Sequence, residues 1–449
     1  MICVLPVELS KEKIANIRKK IEKKNSIFAQ KRYLDSMFLP SRIIGREAEA
    51  EKLLQYILSL KDGFVVPFIS VYGRSGSGKT TVVKFVCENL FDIVSFRFVN
   101  LRKAKTIFGC ANLILGTLGR ESLTSAEGLN KAVDCIECQI EKILKDEQKK
   151  YFVLVVDEYD VIFSDSRGRP SDFVYKLLRM EENLREKSLW VCVVTISNNA
   201  LIDYELDDRV KSRMGSSEVS FSPYSKSDVL AILEDRAKKA FRIKVAKEVL
   251  EHCANLSSSD HGDARRALDL LRVAAELSDG AKITKMDIEK ATDFIQKDRI
   301  STIISNAAYH QRVVIAAICA GSLLSGNAWN STSSIFERYK KFVEKNKKPL
   351  SYRRVADLLV EIKNSGLVVS RTISKGRYGY GAEYKLKISP DMVGPQVDEK
   401  WWSGIVENKK EQDEIDDLMK NIKSRKRSPF FPRSLLRTSS MLKKYGLDL

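Results

Sequence analysis

Three stretches in the first half of the chain are apolar almost without interruption: FVVPFISVYG from residue 64, YFVLVVDEYD from 151 and LWVCVVTISNN from 189. Such runs predict strands covered on both faces, as in a parallel sheet, and each ends in glycine, acidic or polar residues. A fourth, shorter strand is expected in SEVSFS. Beyond it the period lengthens. PYSKSDVLAILEDRAKKAF, KEVLEHCANLSS, GDARRALDLLRVAAEL and TKMDIEKATDFIQ read as four helices joined by short polar turns over about 222–298. HQRVVIAAICAGSL, SSIFERYKKFVEKN and SYRRVADLLVEIKNSG follow as three more, the last opened by Ser351 as N-cap and closed by Gly366. LVVSRTIS and AEYKLKIS then alternate like two strands around the glycine-rich KGRYGYG. Three helices followed by a hairpin predict a winged helix over 300–393.

One helix contains a conflict. In GDARRALDLLR, from 262, the residues Ala264, Ala267, Leu268, Leu271 and Ala275 form an apolar stripe, yet Arg265 and Arg266 sit in the first turn. The helix dipole disfavours cations there. An anion is therefore expected opposite them.

Composition narrows the class. At 449 residues the chain exceeds one ordinary core, and 44% hydrophobic with 30% charged residues is normal for a globular protein. No run is long and apolar enough to span a bilayer, and MICVLPVELSKEK lacks the basic start and apolar centre of a signal peptide, so a cytoplasmic protein is expected. Eight scattered cysteines, several within apolar strands, suit reduced core thiols; Cys135 and Cys138 form a lone CxxC without a histidine nearby. The net charge of +18 is concentrated at the ends. Residues 301–395 carry fifteen Lys or Arg against six acidic residues, 418–449 nine against one, and 1–45 ten against four. A slightly acidic middle with basic ends suggests an engine with polyanion-binding attachments.

The engine is legible between 64 and 86. Strand, GRSGSGKT and helix follow in the order that the phosphate-cradling GxxxxGK[ST] loop requires. Gly73, Ser75, Gly76, Ser77 and Gly78 are expected to close around phosphates, with Lys79 reaching the β and γ groups, Thr80 ligating Mg²⁺ and Thr81 continuing the contact. ATP or ADP with Mg²⁺ is the expected ligand. YFVLVVDEYD would deliver Asp157 to the metal through water and Glu158 to the attacking water. LWVCVVTISNN would place Asn198 to orient that water or touch the γ-phosphate, although Asn198-Asn199 also makes a good turn. In DDRVKSRMG, Arg213 and then Arg209 are candidates for an arginine finger that serves a neighbouring copy's ATP. Arg353 and Arg354, at the start of the third winged-helix helix, would enter the major groove, with Lys375, Arg377 and Tyr378 on the wing reaching phosphates or the minor groove.

Together the P-loop, the DExD strand, the TISN strand, DxRVKSR, SPYSKSDVLAIL and GDARRALDLLR resemble the archaeal AAA+ replication initiators, relatives of the eukaryotic origin-recognition and helicase-loader subunits, from about Leu39 to about Val393. The resemblance implies an α/β fold: a P-loop AAA+ parallel-sheet core (39–221), a helical lid (222–298) and a C-terminal winged helix (300–393), flanked by a basic extension (1–38) and a basic tail (394–449). It also implies that Arg265 is a lid sensor of the γ-phosphate, that Tyr224 and Arg236 lie near the nucleotide, and that Pro40, Arg42 and the IIGRE segment surround the adenine. Between Asn100 and about Leu144 the family adds a DNA-touching helix, to which FVNLRKAKTIFGCANLILGTLG would lead. Archaeal members often carry serine in place of Arg213, which leaves Arg209 and Arg213 as alternatives. Implied partners are duplex DNA at origins, the replicative minichromosome-maintenance helicase, and other copies or paralogues of the chain, with slow, regulatory ATP hydrolysis. The competing readings are a clamp-loader subunit, which would carry a helical collar instead of a winged helix, and a nucleotide-switched signalling or transcription-regulating NTPase. Trp401-Trp402 suggests docking against the winged helix or a partner.

Overall fold

A computed structural model describes residues 11–165, 168–214, 217–258, 263–279, 282–324, 328–374 and 380–425. It divides into two compact units, 1–292 and 293–449.

The first unit is built on five parallel strands: β1 (Phe68–Gly73), β2 (Val94–Asn100), β3 (Tyr151–Asp157), β4 (Trp190–Ser197) and β5 (Glu218–Phe221), in the order β2-β3-β4-β1-β5. β1, β3 and β4 fall where continuous apolar runs predict them, and β5 falls in the expected SEVSFS. β2 was not expected, because Arg97 breaks its apolar run; it is the edge strand beside β3. The central strands are covered on both faces. Phe152, Leu154 and Val156 belong to one cluster with Val193 and the flanking helices, while Val153, Val155 and Val194 belong to another with Val82 and Val86. The register lines up the carboxyl ends: Asn100 pairs with Asp157, Asp157 with Ile196, and Tyr72 with Ser197. Chemistry-bearing residues thus converge on one sheet edge, where open α/β sheets bind ligands.

The lead-in to the expected DNA-touching helix forms Ile107–Thr117, and its Ile107, Cys110, Ala111, Ile114 and Leu115 are buried in the core. Cys135 is buried and Cys138 exposed on the helix Gly128–Asp146. The lid helices are Lys226–Ala240, Lys247–Ser258 and Ala264–Leu277, followed by Lys285–Asn306. The last helix runs well beyond TKMDIEKATDFIQ, because no breaker intervenes and Ile300 and Ile304 are buried in the second unit. Residues 26–42 strap the lid: Phe28 bridges Phe241 and stacks on it, and the Ala240 carbonyl accepts from the amides of Ala29 and Gln30.

In the second unit, helices Tyr309–Leu324, Thr332–Phe342 and Tyr352–Asn364 precede an antiparallel sheet of β6 (Asn330–Ser331), β7 (Val368–Ser374) and β8 (Tyr380–Leu386), ordered β6-β8-β7. Ser351 does cap its helix, accepting from the Arg354 amide at 3.3 Å. Two more helices, Pro390–Val397 and Glu399–Arg425, pack on this core. Trp402 is 5% exposed, seated on Gly394, and Trp401 meets Phe342 edge to face. Among the described residues no helix is long and apolar enough to cross a membrane.

Candidate functional site

The loop between β1 and the helix Lys79–Asn89 takes conformations that only glycine adopts without strain. Gly76 and Gly78 have φ of +78° and +93°. A Cβ at Gly76 would collide with the Asp263 carboxylate, and one at Gly78 with the Tyr224 hydroxyl, so the lid closes directly onto the loop. Lys79 is buried, and its Nζ donates to the carbonyls of Gly73 at 2.5 Å and Arg74 at 2.9 Å. Burial lowers its pKa, nearby Asp157 opposes that, and Arg265 adds to it. The Ser77 hydroxyl is buried with no hydrogen-bond partner among the described residues. These features fit a phosphate, which would meet the amides of the loop and relieve the crowded ammonium.

Thr80 and Asp157 meet across the sheet edge: Thr80 Oγ1 donates to Asp157 Oδ2 at 3.2 Å, and Asn100 Nδ2 approaches the same oxygen at 3.4 Å. A hydroxyl beside a carboxylate is an oxygen pair suited to Mg²⁺. Glu158 adopts left-handed geometry, φ 55° and ψ 42°, which turns it out of the line of β3. Non-glycine residues rarely hold that conformation, and such strained backbone positions cluster at functional clefts.

One cleft brings together Ser75, Lys79, Thr80, Thr81, Asp157, Glu158, Asn198 and Arg265, with Ser36, Lys84, Asn100 and Arg102. A second cleft shares Ser36, Thr81 and Arg265 with it and is lined by Pro40, Arg42, Ile43, Ile44, Gly76, Gly78, Tyr224, Ile232, Arg236 and Leu268. Asp263 places a carboxylate at the start of the helix that carries Arg265 and Arg266. It caps the helix, accepting from the Arg265 amide at 2.9 Å and the Arg266 amide at 3.3 Å, and Arg265 faces the clefts. Arg236 is buried and donates to the carbonyls of Phe38 and Tyr33. Arg42 grips Asp235 at 2.6 Å. Burial pushes the Asp235 carboxyl up, but hydrogen bonds from Lys239 and Arg42 outweigh it and hold the group below its ordinary value.

Arg209 and Arg213 line neither cleft. Arg209 is exposed on the helix Asp208–Met214, and Arg213 pairs with Glu182 at 3.0 Å. Arg353 and Arg354 are exposed on the third winged-helix helix, and Arg354 lies 3.6 Å from Glu361 and 3.8 Å from Asp357. Lys375, Arg377 and Tyr378 lie outside the described residues.

Sequence reasoning missed several members of the site. Asn100 ends β2 and Arg102 follows it, and the edge rule would have found them had that strand been recognised. Arg46 belongs to the IIGRE segment expected around the adenine, but no periodic signal marked it as a joint between the loop and the lid. It is buried, donates to the carbonyls of Ser77 at 3.1 Å and Ser222 at 2.5 Å, pairs with Glu49 at 2.7 Å and lies 4.1 Å from the Tyr224 ring centroid.

Comparison with known proteins agrees with this architecture. Residues 69–218 match the ATPase family associated with various cellular activities (AAA), 230–293 the Cdc6 AAA+ ATPase-type lid domain, and 302–394 the CDC6 C-terminal winged helix domain. An ORC1-type DNA replication protein 1 of Sulfurisphaera tokodaii is 31% identical over 386 residues, covering 84% of this chain and 94% of the relative. An ORC1-type DNA replication protein of Thermococcus kodakarensis is 30% identical, covering 85% and 93%. Among solved structures, the Aeropyrum pernix ORC1 protein in complex with DNA superposes with a TM-score of 0.67 at 28% identity over 85% of this chain and 99% of that one. The A. pernix ORC2 protein shares the fold, with a TM-score of 0.53 at 22% identity over 85% and 99%. With its parallel-sheet ATPase core, its lid and its winged helix, the chain belongs to the ORC1/Cdc6 family of AAA+ DNA replication proteins.

Proposed function

We propose that this protein is an ATP-regulated replication initiator that grips duplex DNA at origins and brings the replicative minichromosome-maintenance helicase to it. The observation that supports this most is the shared cleft, in which Arg265 of the lid faces the same space as Lys79, Thr80, Asp157, Glu158 and Asn198 of the core. A triphosphate bound there is held from two bodies, so its γ-phosphate sets the angle between them.

In this reading Ser75, Gly76, Ser77, Gly78 and Thr81 contact the phosphates, Lys79 offsets their β and γ charge, and Thr80 and Asp157 hold Mg²⁺. Magnesium, when bound, neutralises charge on the phosphate oxygens. Glu158 polarises the attacking water and Asn198 orients it. Pro40, Arg42, Tyr224 and Arg236 enclose the base and ribose end. Arg213, or Arg209 in its place, reaches the nucleotide of a neighbouring copy or paralogue. Duplex DNA is favoured as the polyanion by the +9 charge of 301–395 and by the A. pernix ORC1 relative, whose structure was solved with DNA. Arg353 and Arg354 read the major groove, and Lys375, Arg377 and Tyr378 extend the contact from the wing.

Hydrolysis is slow and regulatory, below roughly 1 s⁻¹ against the ordinary enzyme range. Binding of ATP and ADP to Arg265→Ala tests the coupling. Losing a cation from the γ-phosphate should weaken ATP by roughly 10-fold and ADP much less, a differential of about 1.4 kcal/mol. Equal weakening of both nucleotides, or none, would overturn the switch.

A further inference from the structure

Asp160 closes the DExD motif but lines neither cleft, and the chemistry above leaves it without a task. It nevertheless receives three hydrogen bonds from a segment 38 to 44 residues away. Its Oδ2 accepts from the Asn198 amide at 2.9 Å and from Asn198 Nδ2 at 3.1 Å, and its Oδ1 accepts from the Tyr204 hydroxyl at 2.6 Å. Tyr204 is held from two further sides. Its ring stacks on Phe163, with centroids 3.9 Å apart and planes within 6°, and its oxygen accepts from Asn199 Nδ2 at 3.3 Å. Burial and the neighbouring Asp160 push the Tyr204 hydroxyl up to about 12, so it remains a donor at neutral pH.

Asn198 itself is exposed and follows the last residue of β4, so packing alone does not fix its amide. An ionised carboxylate only accepts, so it compels the amide to present its nitrogen to Asp160. The carbonyl oxygen Oδ1 and the second N–H then remain for the cleft. We infer that Asp160 is a positioning residue for ATP hydrolysis: braced by Tyr204, it locks the orientation of the Asn198 amide toward the attacking water and the γ-phosphate. The inference rests on the assignment of Asn198 proposed above.

Single-turnover hydrolysis of radiolabelled ATP, paired with the affinity of a fluorescent ATP analogue, separates the possibilities in the full-length protein. Asn198→Ala sets the reference and should lower the rate by roughly 10-fold or more, since small misplacements of catalytic groups cost up to about 100-fold. Asp160→Ala should fall within about threefold of that reference with affinity unchanged, and the double variant should be no slower, because both changes remove one function. Asp160→Asn should recover most of the rate, since its amide oxygen can still accept from Asn198 while its nitrogen faces the Tyr204 oxygen. Tyr204→Phe keeps the ring stack and should slow hydrolysis by a smaller factor; it carries the test if Asp160→Ala fails to fold. Multiplying losses in the double variant, or unchanged rates in both Asp160→Ala and Tyr204→Phe while Asn198→Ala is slow, would overturn the positioning role alone. A wild-type rate in Asn198→Ala would remove the assignment of Asn198 and the inference with it.

Discussion

Arg46 offers a severe test of how the core and lid are joined, because one side chain links the phosphate loop, the start of the lid and the helix Glu47–Leu58. Its guanidinium donates to the carbonyls of Ser77 and Ser222, pairs with Glu49 and covers the Tyr224 ring. Arg46→Ala leaves two carbonyls and a carboxylate without their donor. Hydrogen bonds to a charged group contribute about 1.5–3 kcal/mol each, and a desolvated cation–π contact about 2 kcal/mol. These contributions do not add fully, and breaking a buried charge network typically costs about 3–5 kcal/mol. The loss should appear as local opening, so hydrogen exchange resolved to residues 75–82 and 222–226 is the appropriate assay. Protection there should drop by roughly 10²- to 10³-fold, at about 1.4 kcal/mol per decade. Arg46→Lys keeps the charge but cannot reach the same acceptors at once, and should lose about half as much in free energy. Exchange within threefold of wild type in Arg46→Ala would refute the idea that this arginine ties the loop to the lid.

Three further outcomes are expected. Burial pushes the thiols of Cys87, Cys110 and Cys253 up to about 12, so the folded protein keeps protons that the unfolded chain loses above about pH 9. Their stability is whole below pH 9 and declines toward pH 12 by about 1.4 kcal/mol per pH unit per thiol; urea midpoints at pH 8 and 10 under reductant should show it, and Cys87→Ala should flatten the slope. Arg354 already shares its charge with Asp357 and Glu361, so Arg353→Ala should lower the salt dependence of DNA binding by nearly the full value of about 0.9 per phosphate and Arg354→Ala by less, as read from titrations at several salt concentrations. Mixing Lys79→Ala with Arg213→Ala protein on DNA should restore hydrolysis if Arg213 acts across copies, whereas restoration only with Arg209→Ala would assign the finger to Arg209.

The parts of the protein that were legible in the sequence are those where local pattern and chemistry coincide. Continuous apolar runs gave away β1, β3 and β4, the glycine spacing gave the loop, and Ser351 and Gly366 bounded the helix between them. The winged helix, read from three helices and a hairpin, also disposed of the clamp-loader alternative, which needs a collar there. What remained hidden depends on contacts between distant residues. The partner of Asp160 is 38 residues away, Arg46 reaches 176 residues to Ser222, and Arg42 reaches 193 to Asp235. β2 escaped because an arginine interrupts its apolar run, and with it went Asn100 and Arg102 of the cleft.

The tryptophan seated on Gly394 shifts where the DNA-binding module should be cut. The match to the winged-helix family stops at residue 394, yet Trp402 belongs to the same hydrophobic cluster as Val314, Leu359 and Val393. A fragment ended at the family boundary would bare an aromatic-sized patch to water, inviting aggregation that a binding assay would record as lost affinity. Carried through at least Val406, the excised piece keeps its own seal, and its behaviour on DNA then speaks for the intact protein.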